Sequence, residues 1–247
     1  MSTPVKGTAY RAFEIVLRPL VAISTSRTWT GTEHIPAEGG VLVVSNHVSH
    51  LDPVMLAHYL NNAGRAVRFL AKASLFDVRV IGPMLRSAGQ IPVHRQQRNA
   101  ADSLDSACAA IERGECVVVM PEGTITRDPD LWPMIGKTGA ARIALRTGCP
   151  VIPVGQAGPE TLLPPYRRIP RLLPRKRMRI SAGPAVNLDR WREQSLTPAV
   201  ARAATVEIMR RITELVSMLR GRPAPAEPFD PARSGVPEIG NPYRRSA

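Results

Sequence analysis

Residues 41–60 read VLVVSNHVSHLDPVMLAHYL, and this stretch decides the fold. Val41–Ser45 is a short apolar run rich in valine, which predicts a buried strand. Asn46–Asp52 is polar, and Pro53–Leu60 then shows helical spacing with a proline where a helix tolerates one, in its first turn. Strand, polar turn, helix is the unit from which open α/β sheets are built, and such sheets place ligands at the carboxyl ends of their strands.

Working outward, the pattern repeats. Further strands are predicted at Val67–Ala71, Gln90–His94, Val117–Met120, Val151–Val154 and Met178–Ala182. Helices are predicted at Ala100–Arg113, Thr138–Arg146 and Pro198–Arg220. Gly114, Gly148 and Gly221 follow helices as residues able to take a left-handed backbone, and Thr197-Pro198 is an N-cap followed by a first-turn proline. The expected fold is α/β, a single domain with a mixed sheet covered by helices. Residues 31–220 form that domain. Residues 1–30 carry an N-terminal amphipathic or apolar helix. Residues 221–247 hold six prolines and no periodicity, so an extended or disordered tail is expected.

The chain has 247 residues, enough for one substantial core, with 44% hydrophobic and 21% charged residues. Thirty-three Lys and Arg against 20 Asp and Glu leave a formal charge of +13. Such a balance predicts an anionic partner: nucleic acid, a phospholipid surface or a phosphorylated substrate. Aromatics are only 4%, which disfavours base stacking. Cys108, Cys116 and Cys149 are scattered without a CxxC pair, against a disulfide scaffold or a Cys-based zinc site. No run approaches the ~20 apolar residues of a spanning helix. Lys6, Arg11, Glu14 and Arg18 interrupt any signal-peptide core.

Two polar turns carry the chemistry. In Ser45–Pro53, SNHVSHLDP, the spacing lets the Asp52 carboxylate reach one nitrogen of His47. That carboxylate would fix the tautomer and leave the other nitrogen to take a proton; a helix N-cap with two surface histidines is the alternative. In Val117–Asp130, VVVMPEGTITRDPD, Gly123 permits a turn whose N–H groups converge on an anion. Thr124, Glu122 and Arg127 stand beside it, a set suited to a phosphate or oxyanion, or else an ordinary turn.

In order along the chain come SNHVSHLDP, GQIPVHR (Gly89–Arg95), MPEGT (Met120–Thr124) and VIPV (Val151–Val154). This series resembles the glycerolipid acyltransferase family, which includes 1-acylglycerol-3-phosphate acyltransferases. The likeness runs from about Gly31 to Ala185. The family's N-H-x-S-x-x-D motif is matched by Asn46, His47, Ser49 and Asp52, and its P-E-G-T motif by Pro121–Thr124. Where the family usually has Arg after this threonine, the chain has Ile125, with Arg127 two residues on.

The resemblance implies acyl transfer from a thioester to a hydroxyl of a glycerol phosphate. His47 would be the base and Asp52 its orienter. Asn46, Ser49, Lys72, Arg95, Glu122, Gly123, Thr124 and Arg127 are the candidate substrate-binding residues. Ser49 is also read as a stabiliser of its turn, and Glu122 as a partner of the glycerol portion or an anchor of its own loop. Arg95, Lys72 and Arg127 are the choices for the acceptor's phosphate, with the resemblance favouring Arg95. No cofactor and no metal are expected. The acyl donor would be acyl-coenzyme A or acyl carrier protein, and the acceptor a lysophospholipid, 1-acylglycerol 3-phosphate, giving phosphatidic acid; glycerol 3-phosphate or another lysolipid is the alternative acceptor.

Pro164–Ile180, PPYRRIPRLLPRKRMRI, has seven basic and no acidic residues with apolar side chains interleaved. With the apolar stretch at residues 8–23, it suits an anionic membrane surface better than nucleic acid. The expected location is therefore the cytoplasmic face of the membrane, peripheral or monotopic. A non-catalytic basic binder of membrane or nucleic acid is the alternative from another class. Gly136-Lys137-Thr138 resembles the end of a phosphate-binding loop, but the required first glycine falls on Leu131.

Overall fold

The computed structural model describes residues 23–93, 100–167, 169–237 and 241. Seven strands form one sheet: β1 (Thr25–Thr30), β2 (Val41–Ser45), β3 (Val67–Lys72), β4 (Ile91–Val93), β5 (Cys116–Val119), β6 (Val151–Ala157) and β7 (Lys176–Ala182). Their order across the sheet is β1-β7-β6-β2-β5-β3-β4. β2 to β6 run parallel, β7 is antiparallel to β6, and β1 is parallel to β7. The sheet is therefore mixed, as expected.

β2 lies in the middle, and all five of its residues are buried. Alternation along the strand divides them between two cores. Leu42 and Val44 join Val117, Val119 and Val151 on one face, and Val41 and Val43 join Val118, Ile152 and Val154 on the other. The first core is closed by three helices: α3 (Ala100–Glu112), α4 (Gly139–Thr147) and α7 (Pro198–Arg220). The second is closed by α1 (Asp52–Asn62), whose Met55, Leu56, Tyr59 and Leu60 form one face. A helix α2 (Ile81–Ser87) and two single turns, α5 (Pro159–Leu162) and α6 (Asp189–Arg192), are the other α-helical elements among the described residues.

The caps act as the sequence predicts. The Thr197 side chain accepts from the Val200 N–H, and Gly148 and Gly221 take left-handed backbones after α4 and α7. Gly155 of β6 lets α7 lie directly on the sheet, because a Cβ there would sit 2.7 Å from that of Leu215.

β1, TSRTWT, lacks an apolar run and has only Thr25 fully buried. It is held as an edge by its backbone pairing to β7 and by Tyr59, whose hydroxyl donates to the Thr30 carbonyl at 2.7 Å and accepts from the Ala182 N–H at 3.2 Å. Burial pushes the Tyr59 phenol up to about 12, so it stays a neutral donor. The N-terminal helix expected within residues 1–30 lies outside the described residues up to residue 22, and the domain begins before the expected boundary at residue 31, because Thr25–Thr30 already pair with β7.

The described part of the stretch after Gly221 has no helix or strand, turns at residues 231–235 and packs on the domain. The Phe229 carbonyl accepts from the Ile135 N–H at 3.1 Å, Ala224 packs on the first core, and Pro231 is buried. Prolines that forbid a helix still allow an extended strap along a surface.

Among the described residues, no helix is long and apolar enough to cross a membrane.

Candidate active site

The carboxyl ends of β2, β5 and β6 lie side by side, with Val44 opposite Val119 and Ser45 opposite Val154. The two polar turns leave the sheet there and bond to each other through one residue. The His47 N–H donates to Glu122 Oε1 at 2.8 Å, and the His47 carbonyl accepts from the Thr126 N–H at 2.8 Å. The backbone of His47 is thus clamped by the second turn, and only its side chain projects.

That side chain meets its expected partner. His47 Nδ1 lies 2.8 Å from Asp52 Oδ2. Asp52 is wholly buried, while the His47 side chain keeps 16% exposure. Oδ2 also accepts from the N–H groups of Val48 (2.5 Å) and Ser49 (2.8 Å). Three donors around one oxygen hold the carboxylate in place without leaving it a choice of rotamer. With Nδ1 donating to Asp52, Nε2 is the nitrogen left to accept a proton.

Three residues assigned to substrate are instead sealed in the protein. Asn46 is fully buried and paired to Gln156: its amide donates to the Gln156 carbonyl at 3.0 Å, and its Oδ1 accepts from the Gln156 N–H at 2.9 Å. Ser49, also fully buried, donates to the Leu163 carbonyl at 2.7 Å and accepts from the Leu51 N–H at 3.2 Å. Its reading as a stabiliser of the turn is the one the geometry supports.

Glu122 is the third. Its Oε1 accepts from His47, and its Oε2 accepts from the Met134 N–H at 3.1 Å. With no exposed surface and both oxygens bound to backbone, it anchors loops and does not reach a glycerol. Burial pushes its carboxyl up to about 8, against the pull of the two N–H groups. The physical reason is common to all three. The first residues beyond a central strand are still under the helices, and polar groups there must be satisfied internally.

The other candidates divide. Gly123 (φ 70°) and Thr124 are partly exposed in the turn. Ile125 is buried at 2%, so the position where the family usually has Arg points inward. Arg127 is also buried and turns to Tyr166: one guanidinium nitrogen bonds the phenol oxygen, and the guanidinium lies 5.1 Å from the ring centre. It does not stand in for the missing Arg in an open pocket. Lys72 is exposed at the end of β3. Arg95 lies outside the described residues.

Two participants were missed by sequence reasoning. Gln156 is buried beside Asn46, and its amide donates to the Asn46 carbonyl at 2.9 Å. A polar residue two places beyond VIPV, in a strand buried throughout, was the signal that could have found it. Lys137, read only as part of a loop look-alike, is exposed and runs its aliphatic stem across the second polar turn. Its Cδ lies 3.3 Å from where a Cβ on Gly123 would sit, and its N–H donates to the Pro121 carbonyl at 2.8 Å.

No group of three or more His, Cys, Asp or Glu that could hold a metal ion occurs among the described residues.

A strand-end histidine held by a second strand's turn and by a buried carboxylate fits an acyltransferase-type domain. Residues 26–156 match the family model described as Acyltransferase, and the chain belongs to that family. It is 34% identical over 136 residues to a chloroplastic 1-acyl-sn-glycerol-3-phosphate acyltransferase of Brassica napus, covering 54% of this chain and 38% of that one. It is 31% identical over 126 residues to a 1-acyl-sn-glycerol-3-phosphate acyltransferase of Borreliella burgdorferi, covering 51% and 48%. The chain thus spans less than half the length of either relative. Its fold is shared with the crystal structure of the 1-acyl-sn-glycerophosphate (LPA) acyltransferase PlsC from Thermotoga maritima. There the TM-score is 0.61 at 22% identity, covering 87% of this chain and 84% of that one.

Proposed function

We propose that this chain moves a fatty acyl group from an acyl thioester to the free hydroxyl of 1-acylglycerol 3-phosphate, giving phosphatidic acid. The observation that carries the reading is the His47–Asp52 pair, 2.8 Å apart, with the imidazole at the surface and the carboxylate beneath it. A pure binder has no use for a base and a buried orienter. The relatives named as acyltransferases of this acceptor support the substrate.

His47 Nε2 takes the proton of the acceptor hydroxyl as its oxygen attacks the thioester carbonyl. The C–O bond forms, and the carbonyl electrons move onto oxygen. The intermediate collapses by breaking the C–S bond, and His47 returns the proton to the leaving thiolate. The ion pair with Asp52 stabilises the imidazolium between the two steps. Transfer is direct, with both substrates bound and no acyl-enzyme.

The acceptor's phosphate belongs to Lys72, which closes β3, to Lys137, whose stem crosses Gly123, or to Arg95, which lies outside the described residues and which the family resemblance favours. The donor is acyl-coenzyme A or acyl carrier protein, both anionic and both matched by a +13 chain. The enzyme works on the cytoplasmic face of the membrane, held peripherally by the N-terminal apolar segment and Pro164–Ile180, with no nucleic-acid partner.

Thiol release from palmitoyl-coenzyme A, with 1-acylglycerol 3-phosphate or glycerol 3-phosphate added separately, tests the reading. Acceptor-dependent release that vanishes in His47→Ala, with phosphatidic acid found by mass spectrometry, is the expected result. Release with glycerol 3-phosphate alone would move the acceptor. No release with coenzyme A or carrier-protein donors would remove the activity.

A further inference from the structure

The sheet carries more than the catalytic pair at its carboxyl end. Because β7 is antiparallel to β6, the segment that joins them turns round beyond Ala157, and Lys176 begins β7 at that same end. Because β1 is parallel to β7, with Thr25 opposite Lys176, the chain also comes into the domain there. The Arg175 guanidinium ties the starts of β7 and β1 together by donating to the Thr25 carbonyl at 2.9 Å. The connection from β3 to α2 leaves the sheet at this end as well, starting from Lys72.

The apolar surface follows the same geography. Ile23 precedes β1, Ile169 (81% exposed) and Leu173 (83%) lie between β6 and β7, Leu75, Val78 and Val80 (80%) lie between β3 and α2, and Ile81 opens α2. The last group was not singled out in the sequence. It reads LFDVRVI, and only Phe76 of it is buried. Such a run of exposed aliphatic side chains is costly in water and rare on a surface that has no partner. Within it Arg79 and Asp77 balance, so the lobe itself is apolar and neutral, with Lys72 three residues before it at the end of β3.

We infer that Leu75–Ile81 is a membrane-inserting lobe. It penetrates the same anionic leaflet that the Arg-rich segment before β7 touches, and sets the His47 end of the sheet against the bilayer. The inference rests on the membrane-docking reading above and adds the lobe that sequence did not reveal. Charge complementarity selects an anionic bilayer as the occupant: Arg167, Arg171 and Arg175 are exposed at the same sheet end, where each basic side chain adds to attraction by acidic headgroups. Apolar side chains flanked by such cations bury themselves at the level of the acyl chains. Two footholds on either side of β2 and β5 would stop the domain from rocking, so that the acceptor reaches His47 from the leaflet.

The experiment labels single cysteines with an environment-sensitive fluorophore at Val80→Cys, Leu173→Cys and, on the outer face of α7, Val206→Cys (67% exposed in the parent). The three native cysteines are buried, and burial raises the thiol of each, so the introduced cysteine reacts first. Full-length protein is mixed with vesicles of phosphatidylglycerol and phosphatidylcholine, with and without lipids carrying a quencher in the acyl chain. The lobe predicts a blue shift and quenching at positions 80 and 173 and neither at 206. A response at 173 without one at 80 would overturn the lobe and leave docking standing. A response at neither position would remove the docking reading itself. A shift at 80 with a monomeric short-chain acyl thioester, but not with vesicles, would assign the lobe to the acyl chain and overturn the inference. As a second arm, Val80→Asp with Ile81→Asp lowers the vesicle partition coefficient by about tenfold or more with an unchanged melting temperature; unchanged partitioning would also overturn the lobe.

Discussion

Removing the Glu122 carboxylate separates a scaffolding role from a substrate-binding one. In Glu122→Ala, the N–H groups of His47 and Met134 lose their acceptors in a region without solvent. An abandoned buried donor costs about 1–3 kcal/mol, so the pair costs about 2–6 kcal/mol. That is a large part of the ~5–15 kcal/mol that holds a domain together. At ~2–4 °C per kcal/mol for a domain of this size, melting should fall by about 5–20 °C. Activity should fall with it, because the bond from Glu122 sets where the His47 backbone sits. The assay is thermal unfolding by circular dichroism beside steady-state kinetics with the acceptor varied. A glycerol-binding Glu122 would give the opposite pattern: unchanged melting with a raised KM for the acceptor. That result would refute the placement of both carboxylate oxygens on backbone.

Four more outcomes follow from the same geometry. His47→Ala should lower kcat by about 10²–10⁴ with little change in melting, and Asp52→Asn should lower kcat rather than raise KM, as read by thiol release. Asn46→Ala strips a buried partner from both the N–H and the carbonyl of Gln156, at about 1–3 kcal/mol each, and urea unfolding should show that loss. Stability should also depend on pH through Glu122. Its carboxyl ionises near 4.5 when unfolded and near about 8 in the fold, so between those values the folded state holds the extra proton. Stability therefore falls as pH rises through that window, and Glu122→Gln should flatten the slope of the urea midpoint against pH.

The central strands were legible because burial on both faces leaves an uninterrupted apolar run: Val41–Ser45 is observed with the predicted bounds. Caps were equally plain, since Thr197, Gly148 and Gly221 each have one backbone conformation to supply. β1 was not legible. An edge strand of Thr, Ser and Arg draws its stability from pairing to β7, and no property of its own residues announces that partner. α2 was hidden for a related reason: only Gly82 of it is buried, so it has no periodic apolar face. In the site, the pairing of His47 with Asp52 could be read from spacing because both sit on one short turn. The partnership of Asn46 with Gln156 crosses 110 residues, and Lys137 reaches Gly123 only once the loop from Pro121 has closed.

The N-H-x-S-x-x-D turn also shows how a motif divides between chemistry and folding. Asn46, Ser49 and Asp52 are all sealed from solvent, and their polar atoms face the backbone of β6, of the segment after α5 and of the turn itself. Of the four motif residues only His47 keeps a side chain at the surface. Three polar residues are thus used to make one imidazole rigid. The same holds in the second turn, where Glu122 faces inward and Gly123 and Thr124 remain partly exposed. Residue type in a motif therefore identifies which groups are polar, and depth beneath the helices decides which of them meet substrate. A preorganised site requires this arrangement, because a base that must be found within a few tenths of an ångström has to be held by groups that cannot themselves be drawn into solvent.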